Sequence, residues 1–145
     1  MAEISTEENE KAVSEVYVAA MEALAAGRPI TPEQRVVHDV EHLMQEVNSG
    51  ASFEQYFRWS SLDELKAIRG RLTLLGLGQV EAVAAKAFTI AFPNGLPSTD
   101  EEKDAATEWT DQQLEDLGEL FPQLEEHNGH VTNVLGAYAK RIKAG

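Results

Sequence analysis

Two histidines and a glutamate near the start of the second predicted helix have the spacing of a zinc site. His38-Asp39-Val40-Glu41-His42 fits the H-x-x-E-H pattern of certain zinc peptidases, in which two imidazoles one helical turn apart bind the metal. On a helical wheel, however, both histidines fall opposite the apolar stripe of this helix. We therefore expect His38 and His42 to face water as solvated side chains. A metal bound at these two histidines and a metal-dependent hydrolase are the weaker alternatives.

A second pair of histidines lies near the C-terminus. His127 and His130 follow Glu125 and Glu126 and enclose an Asn-Gly pair, which is typical of a turn. Carboxylates beside imidazoles can collect a metal ion. A solvated loop explains the same residues without a ligand, and we adopt that interpretation.

The hydroxyls and glycines of the chain give no clearer indication of catalysis. Ser61 and Thr110 are each followed three residues later by Glu or Gln, which is typical of a helix N-cap, and no base is placed beside either of them or Ser60. Gly76-Leu77-Gly78 lacks the preceding strand that a phosphate-binding loop requires. We expect no catalytic residue, no cofactor and no enzymatic activity.

The elements that must position these residues are helices. Apolar residues recur at three- and four-residue spacing along most of the chain, and no stretch alternates with a period of two for long enough to form a strand. The sequence predicts an all-α fold, a single domain over residues 1–145 with about six to eight short helices. The first helix is predicted at about 5–27 and the second at about 32–48, and a short aromatic turn is predicted at 53–57.

Composition excludes several classes of protein. The 145 residues include no cysteine, 25 acidic and 12 basic side chains, and 43% hydrophobic residues, which is too many for a disordered acidic tail. A net charge of −13 repels nucleic acid and anionic lipid and attracts basic protein surfaces. The sequence shows no signal peptide and no apolar run long enough to span a membrane. We therefore expect a cytoplasmic protein that contacts neither nucleic acid nor membrane directly.

The acidic charge is concentrated in one segment. Residues 100–126 carry 11 acidic side chains and one base, Lys103, whereas residues 55–99 carry three acids and five bases. The candidate partner-binding residues are these acids: Asp100, Glu101, Glu102, Asp104, Glu108, Asp111, Glu115, Asp116, Glu119, Glu125 and Glu126.

Within this segment, a helix starting at Asp111 places Asp111, Glu115 and Glu119 in one row, and the leucines turn the other way. Like charges at that spacing destabilise a helix by a few tenths of a kcal/mol per pair, so the row costs stability. A rigid row of carboxylates resembles the phosphates of DNA, although a solubilising face is the alternative.

A second segment carries a family resemblance. The stretch Glu46–Phe57 resembles the E-V-N-x-G-G-F-x-Q-Y-F signature of a bacterial all-helical family named for a DNA-mimic member, otherwise a domain of unknown function. Phe92–Pro97 is similar to the F-P-x-G-x-x-P loop of that family, and the resemblance extends over residues 33–142. Ala51-Ser52 stands where the family has a single glycine, and Trp59 where it usually has asparagine.

The signature residues predict core and turn rather than a site. We expect Phe53, Tyr56 and Phe57, together with Trp59, to fill the core, while polar side chains fix the turn through hydrogen bonds. A ligand pocket lined by Gln55 and Tyr56 is the alternative. The residues of this structural signature are Glu46, Asn48, Gly50, Phe53, Gln55, Tyr56 and Phe57.

The resemblance implies a helical, dimeric protein that presents carboxylates in place of phosphates to a basic DNA-binding protein such as a transcription regulator. An immunity-type protein that inhibits a basic toxin or nuclease would use the same acidic surface, and the sequence does not separate the two.

Overall fold

The computed structural model describes residues 3–144, and within that range every regular element is a helix. The all-α prediction is confirmed. The aromatic stretch predicted as a turn forms a short helix instead, and a further short helix follows residue 120. None of the helices in the described range is both long and apolar enough to cross a membrane. The helices are α1 (Glu7–Ala25), α2 (Pro32–Gly50), α3 (Glu54–Trp59), α4 (Leu62–Leu74), α5 (Gly78–Ala91), α6 (Asp100–Ala106), α7 (Asp111–Glu119), α8 (Phe121–Glu125) and α9 (Asn128–Ala144).

The first two helices begin and end close to the predicted positions. Gly27, which follows α1, has a φ of 72° that favours glycine. At the start of α2, the Thr31 hydroxyl accepts a hydrogen bond from Gln34 N at 3.1 Å, and the Gln34 side chain accepts one from Thr31 N at 2.8 Å. These reciprocal bonds form a capping box, which the spacing of Thr31 and Gln34 in the sequence indicates. The second helix continues two residues beyond Asn48, to Gly50.

The helices form two compact units, and the division falls within α2 and again between Glu125 and Glu126. The terminal unit comprises, in the described range, residues 3–42 and 126–144; the central unit comprises residues 43–125. A single domain over 1–145 stays a prediction.

In the terminal unit, α1 packs along α9 at close range. A Cβ added to Gly136 would lie 2.5 Å from Asn9 Cβ and 2.7 Å from Asn9 Cα, so only glycine allows this approach. Asn133 Oδ1 accepts hydrogen bonds from Thr6 N at 3.1 Å and from Asn9 Nδ2 at 2.9 Å. Glu3 accepts hydrogen bonds from Asn133 and His130, which lower the pKa of its carboxyl, and the bond from Asn133 has the larger effect. Polar contacts thus fix the start of α1 against α9.

Ion pairs join the same two helices further along. Lys140 Nζ lies 3.1 Å from Glu8 Oε1, and Lys143 pairs with Glu15, which also lies 3.9 Å from Lys11 Nζ. The acidic residues Glu8 and Glu15 are therefore engaged with lysines.

An aromatic cluster forms the core of the central unit. Phe53, Tyr56 and Phe57 are fully buried, and the Phe57 ring centroid lies 4.9 Å from that of Phe88 and 5.4 Å from that of Phe92. The two contacts are edge-to-face, an arrangement that adds about 0.5–1.5 kcal/mol per pair to the burial of the rings. Helices α3 and α5 each contact α7, which carries the predicted row of carboxylates.

Candidate functional site

Helices α6 and α7 of the acidic segment begin at threonine caps, and the cap at Thr110 was predicted. Thr99 Oγ1 accepts a hydrogen bond from Glu102 N at 3.1 Å, and Thr110 forms a complete capping box with Gln113. Gln113 Nε2 also donates to the carbonyl of Ile90 at 2.9 Å, which fixes the start of α7 to the end of α5. Acids in the first turn of a helix interact favourably with the positive end of its dipole. The caps thus fix where the acidic side chains lie.

Helix α7 separates its charged face from its apolar face. Leu117 is fully buried, whereas Asp111, Glu115 and Glu119 are exposed. Residues four apart on a helix are neighbours, with Cβ atoms about 5–6 Å from each other. The predicted row of three carboxylates on the outer face is therefore present.

The acidic surface is defined here by the ten acids of the segment that belong to the central unit. Nine of the ten are exposed and one, Asp116, is half-buried. Glu126 is also exposed but belongs to the terminal unit, where His127 lies 3.4 Å from it. The members are Asp100, Glu101, Glu102, Asp104, Glu108, Asp111, Glu115, Asp116, Glu119 and Glu125.

These ten carboxylates have few partners. Throughout residues 3–144, no lysine, arginine or histidine forms an ion pair with any of them. Two accept a hydrogen bond: Asp116 from the Gln112 side chain at 2.8 Å, and Glu102 from Ser98 N at 3.4 Å. The acidic surface therefore presents its charge uncompensated to solvent.

The one base of the segment does not neutralise this surface, because it points inward. Lys103 is 5% exposed, and its ammonium donates to the carbonyl of Arg58 at 3.1 Å and to that of Ser60. Burial lowers the pKa of Lys103, and the carboxylates of Asp104, Asp100 and Glu64 offset part of that shift. Its side chain ties α6 to the end of α3. Nothing in the sequence distinguishes this lysine from a solvated one.

Arg58 lies at the edge of the acidic surface and is also engaged. Its guanidinium lies 3.2 Å from Glu54 Oε1 and 5.1 Å from the ring centroid of Trp109. The Trp109 indole in turn donates to the carbonyl of Ala91 at 3.0 Å. These contacts hold the connection between α6 and α7 against α3 and α5.

The three aromatic residues of the signature are buried, and its polar residues form hydrogen bonds within α2 and between α2 and α3. Gln55 Nε2 donates to Glu46 Oε2 at 2.7 Å, and Asn48 Nδ2 donates to the carbonyl of Met44 at 2.6 Å. A Cβ added to Gly50 would lie 3.3 Å from the Gln55 side-chain oxygen, so a larger residue would press on that hydrogen-bonded amide. Tyr56 is fully buried in the core, and it does not line the recess of about 210 Å³ that Gln55 borders.

The prediction that Trp59 joins this core is wrong. Its side chain is 67% exposed, because α3 ends at this residue and the buried positions of the helix are already filled by Tyr56 and Phe57. Trp59 borders a surface recess of about 210 Å³ together with Gln55 and Glu54.

The prediction that His38 and His42 face water is also wrong. The His38 side chain is 13% exposed, and its ring stacks on Tyr17 of α1 at 5.4 Å and on His42 at 6.0 Å. Its Nδ1 lies 2.7 Å from Asp39 Oδ1. The helical wheel identified the face correctly, but a second helix covers it.

The predicted turn at Asn128-Gly129 is wrong as well. Asn128 begins α9, and a Cβ added to Gly129 would collide with the backbone carbonyl of Glu3. This glycine serves close packing rather than a change of chain direction. His130 Nδ1 lies 3.0 Å from the Glu3 carboxylate, a contact that joins α9 to the residues before α1.

A pocket beside α4 and α5 contains no set of groups that suggests catalysis. It has a volume of about 620 Å³ and lies between α4, α5 and the loop after α5. Its principal charged contact is Arg69 Nε to Glu81 Oε1 at 2.6 Å, which leaves both groups paired.

Comparison with known proteins gives one match. A family model described as DMP19-like protein matches residues 28–142, close to the range 33–142 expected from the signature. No curated protein and no solved structure matches.

Proposed function

Because the chain belongs to the DMP19-like protein family, a family of DNA mimics, we propose that it occupies the DNA-binding surface of a basic protein. The observation that carries this proposal is the acidic surface. Its ten carboxylates have no cationic partner within residues 3–144, and the single base of the segment is buried beneath them.

The geometry of α7 supports mimicry of a nucleic acid backbone. Residues four apart on a helix are separated by about 6 Å along its axis, and duplex DNA carries one charge per about 1.7 Å. Asp111, Glu115 and Glu119 thus provide a rigid but sparser polyanion, and α6 contributes further carboxylates, those of Asp100 and its neighbours. A protein surface that binds phosphates with lysine and arginine would meet hydrogen-bond acceptors of the same charge.

The contrast with the terminal unit also supports a functional surface. There, Glu8 and Glu15 pair with lysines of α1 and α9 and stabilise the packing of the two helices. The acids of the central unit make no such ion pairs. Their mutual repulsion opposes folding, so the surface has an energetic cost that contact with a basic partner would relieve.

The test is capture of a DNA-binding protein that duplex DNA can displace. The purified chain is immobilised and exposed to native lysate at low and high salt, and excess duplex DNA is then added. We expect a basic DNA-binding protein to bind at low salt and to be released both by salt and by DNA, since phosphates and carboxylates compete for the same residues.

The variant that tests the surface carries Glu108→Lys, Glu115→Lys and Glu119→Lys, three exposed positions whose side chains form no hydrogen bond within residues 3–144. The matched control carries Glu7→Lys, Glu22→Lys and Glu33→Lys, which changes the net charge equally on exposed positions of the terminal unit. Only the first variant should lose capture, with an affinity at least about tenfold lower. Equal capture by both variants would refute the proposal. Thermal melts of both confirm that they fold.

A further inference from the structure

Trp59 is an exposed aromatic residue on a surface that is otherwise polar. Five large apolar side chains are exposed within residues 3–144, and Trp59 is the only aromatic one among them. Tryptophan is enriched at the centres of protein interfaces and depleted from free surfaces, and its burial contributes more to affinity than that of most residues. An indole that is 67% exposed is thus suited to bind something outside the chain.

The backbone around Trp59 is fixed to the acidic helix α6. The carbonyls on either side of it, those of Arg58 and Ser60, both accept hydrogen bonds from the ammonium of Lys103. Arg58 also donates to the carbonyl of Thr107 at 3.5 Å and lies over Trp109. The backbone that carries the indole is therefore held by the same segment that carries the acidic surface, so little backbone order remains to be gained on binding.

The recess beside the indole is polar, and its one carboxylate is paired. Trp59 lines this recess of about 210 Å³ with Gly50, Ser52, Glu54, Gln55 and Arg58, and the Arg58 guanidinium lies 3.2 Å from Glu54 Oε1. The Glu54 side chain is 42% exposed, and its other neighbour in the recess, Gln55, is held by Glu46. Unpaired carboxylates lie on α6, where Asp100 and Asp104 act on the ammonium of Lys103, from which the carbonyls of Arg58 and Ser60 accept hydrogen bonds. An aromatic face close to such carboxylates attracts a cation through both the ring and the charge.

We propose that Trp59 is an anchor of the partner interface, on which an arginine or lysine side chain of a basic protein stacks. This inference rests on the proposed function, since the acidic surface brings the basic partner to this part of the central unit. Charge complementarity identifies the occupant. DNA, and a second copy that presents its own acidic surface here, are repelled by the carboxylates of α6, whereas a cationic segment is attracted.

The experiment uses the full chain labelled with 5-fluorotryptophan. The chain has two tryptophans, so two ¹⁹F signals are expected, and Trp59→Phe assigns them. The probe is an oligoarginine peptide, and the control probe is an oligocitrulline peptide, which has nearly the same shape without the charge. We expect oligoarginine to shift the Trp59 signal at concentrations where oligocitrulline leaves it unchanged, with the half-buried Trp109 responding less.

The binding variants are Trp59→Ala and, as the matched control, Leu74→Ala, another exposed apolar residue of the central unit that lies on α4. Trp59→Ala should weaken oligoarginine binding about tenfold, the upper range for a cation over a tryptophan ring, and Leu74→Ala should leave it unchanged. Both side chains are exposed, so both variants should melt close to the wild-type temperature.

The outcomes separate this inference from the function on which it rests. Suppose that reversal of Glu108, Glu115 and Glu119 abolishes peptide binding, while the ¹⁹F signal of Trp59 does not shift and Trp59→Ala binds the peptide as the wild type does. The anchor is then refuted, and the acidic surface stands. If neither change affects binding, both proposals fall. A Trp59 signal that moves with the concentration of the chain alone would identify a second copy as the occupant, and one that moves with duplex DNA would identify nucleic acid. Either result overturns the anchor proposed here.

Discussion

A single buried lysine determines how the acidic segment is attached to the rest of the central unit. The ammonium of Lys103 donates to two carbonyls at the C-terminal end of α3, those of Arg58 and Ser60, and burial lowers its pKa. Because these carbonyls point at the ammonium, its removal would leave them without this donor. A hydrogen bond from a charged donor to such carbonyls contributes more than a neutral one.

Lys103→Met should lower the free energy of unfolding by about 1–3 kcal/mol, because buried acceptors lose their partner while the volume of the side chain is kept. Urea denaturation measures the difference. Lys66→Met on α4 is the control, since Lys66 is exposed and its substitution should change stability little.

The difference in stability between the wild type and Lys103→Met should depend on pH. The pKa of Lys103 is lower in the folded chain than the ordinary value of 10.5, so the unfolded chain binds the proton more tightly. The contribution of this group to stability therefore increases as pH rises from the lowered pKa towards 10.5. Over that alkaline range, the free energy of unfolding of the wild type should therefore rise relative to that of Lys103→Met. A constant difference would contradict the burial of a charged amine.

At the scale of helices, close packing depends on glycines whose role the sequence does not reveal. Gly136 of α9 faces Asn9 of α1 at distances that no side chain tolerates, and Asn9 also donates to Asn133 of α9. A methyl group at position 136 must push the helices apart and weaken that hydrogen bond. Gly70 of α4 is a helical glycine in open space, with no atom within 4 Å of an added Cβ.

Opposite effects are expected from the same substitution at these two positions. Gly136→Ala should destabilise the chain by about 1–3 kcal/mol through overpacking. Gly70→Ala should stabilise it by about 0.5–1 kcal/mol, since alanine loses less backbone entropy in a helix. Equilibrium unfolding of the two variants gives both numbers. A neutral Gly136→Ala would mean that α1 and α9 separate without cost.

The pattern of single helices was predictable from sequence, whereas their neighbours were not. Caps at Thr31 and Thr110 and the buried face of Leu117 follow from local spacing, and the structure confirms them. His38 illustrates the limit: a helical wheel places it opposite the apolar stripe, yet Tyr17, twenty-one residues earlier, covers it. The turn predicted at Gly129 is wrong for the same reason: its close neighbour is Glu3, which is distant in the sequence.

The candidate site was likewise predictable only in part. The acids and their exposure on α7 follow from composition and period, since exposed charge needs no partner. The inward direction of Lys103 and the exposure of Trp59 depend on where α3 ends and α6 packs. Both are tertiary facts, and neither a lysine among acids nor an aromatic residue after a buried pair signals them.

At the scale of the whole molecule, the net charge of −13 is distributed unevenly, and its largest uncompensated part lies on the central unit. Like charges on a compact chain repel, and salt screens that repulsion. Between about 0.01 M and about 0.1 M salt the Debye length falls from about 30 Å to about 10 Å, comparable to the distances between these helices. Stability should therefore depend on ionic strength.

Added salt over that range should raise the melting temperature by a few degrees. Glu108→Gln, Glu115→Gln and Glu119→Gln together should raise it at low salt and reduce the salt effect, because three repelling charges are gone. Glu8→Gln is the control: it removes an equally exposed acid that is paired with Lys140, so no gain is expected. Calorimetry at both salt concentrations measures the melts. If the triple variant melted no higher than wild type, repulsion within the acidic surface would be refuted.

The inward direction of Lys103 has a practical consequence for identifying what touches this surface. Between Lys86 and Lys140 it is the only lysine or arginine, so trypsin has no exposed cleavage site there in the native chain, and amine-directed cross-linkers have no exposed target. The carboxylates are the reactive groups instead. A carbodiimide would activate them and couple them without a spacer to lysines of the bound protein, and each linked peptide would mark one contact between the two chains.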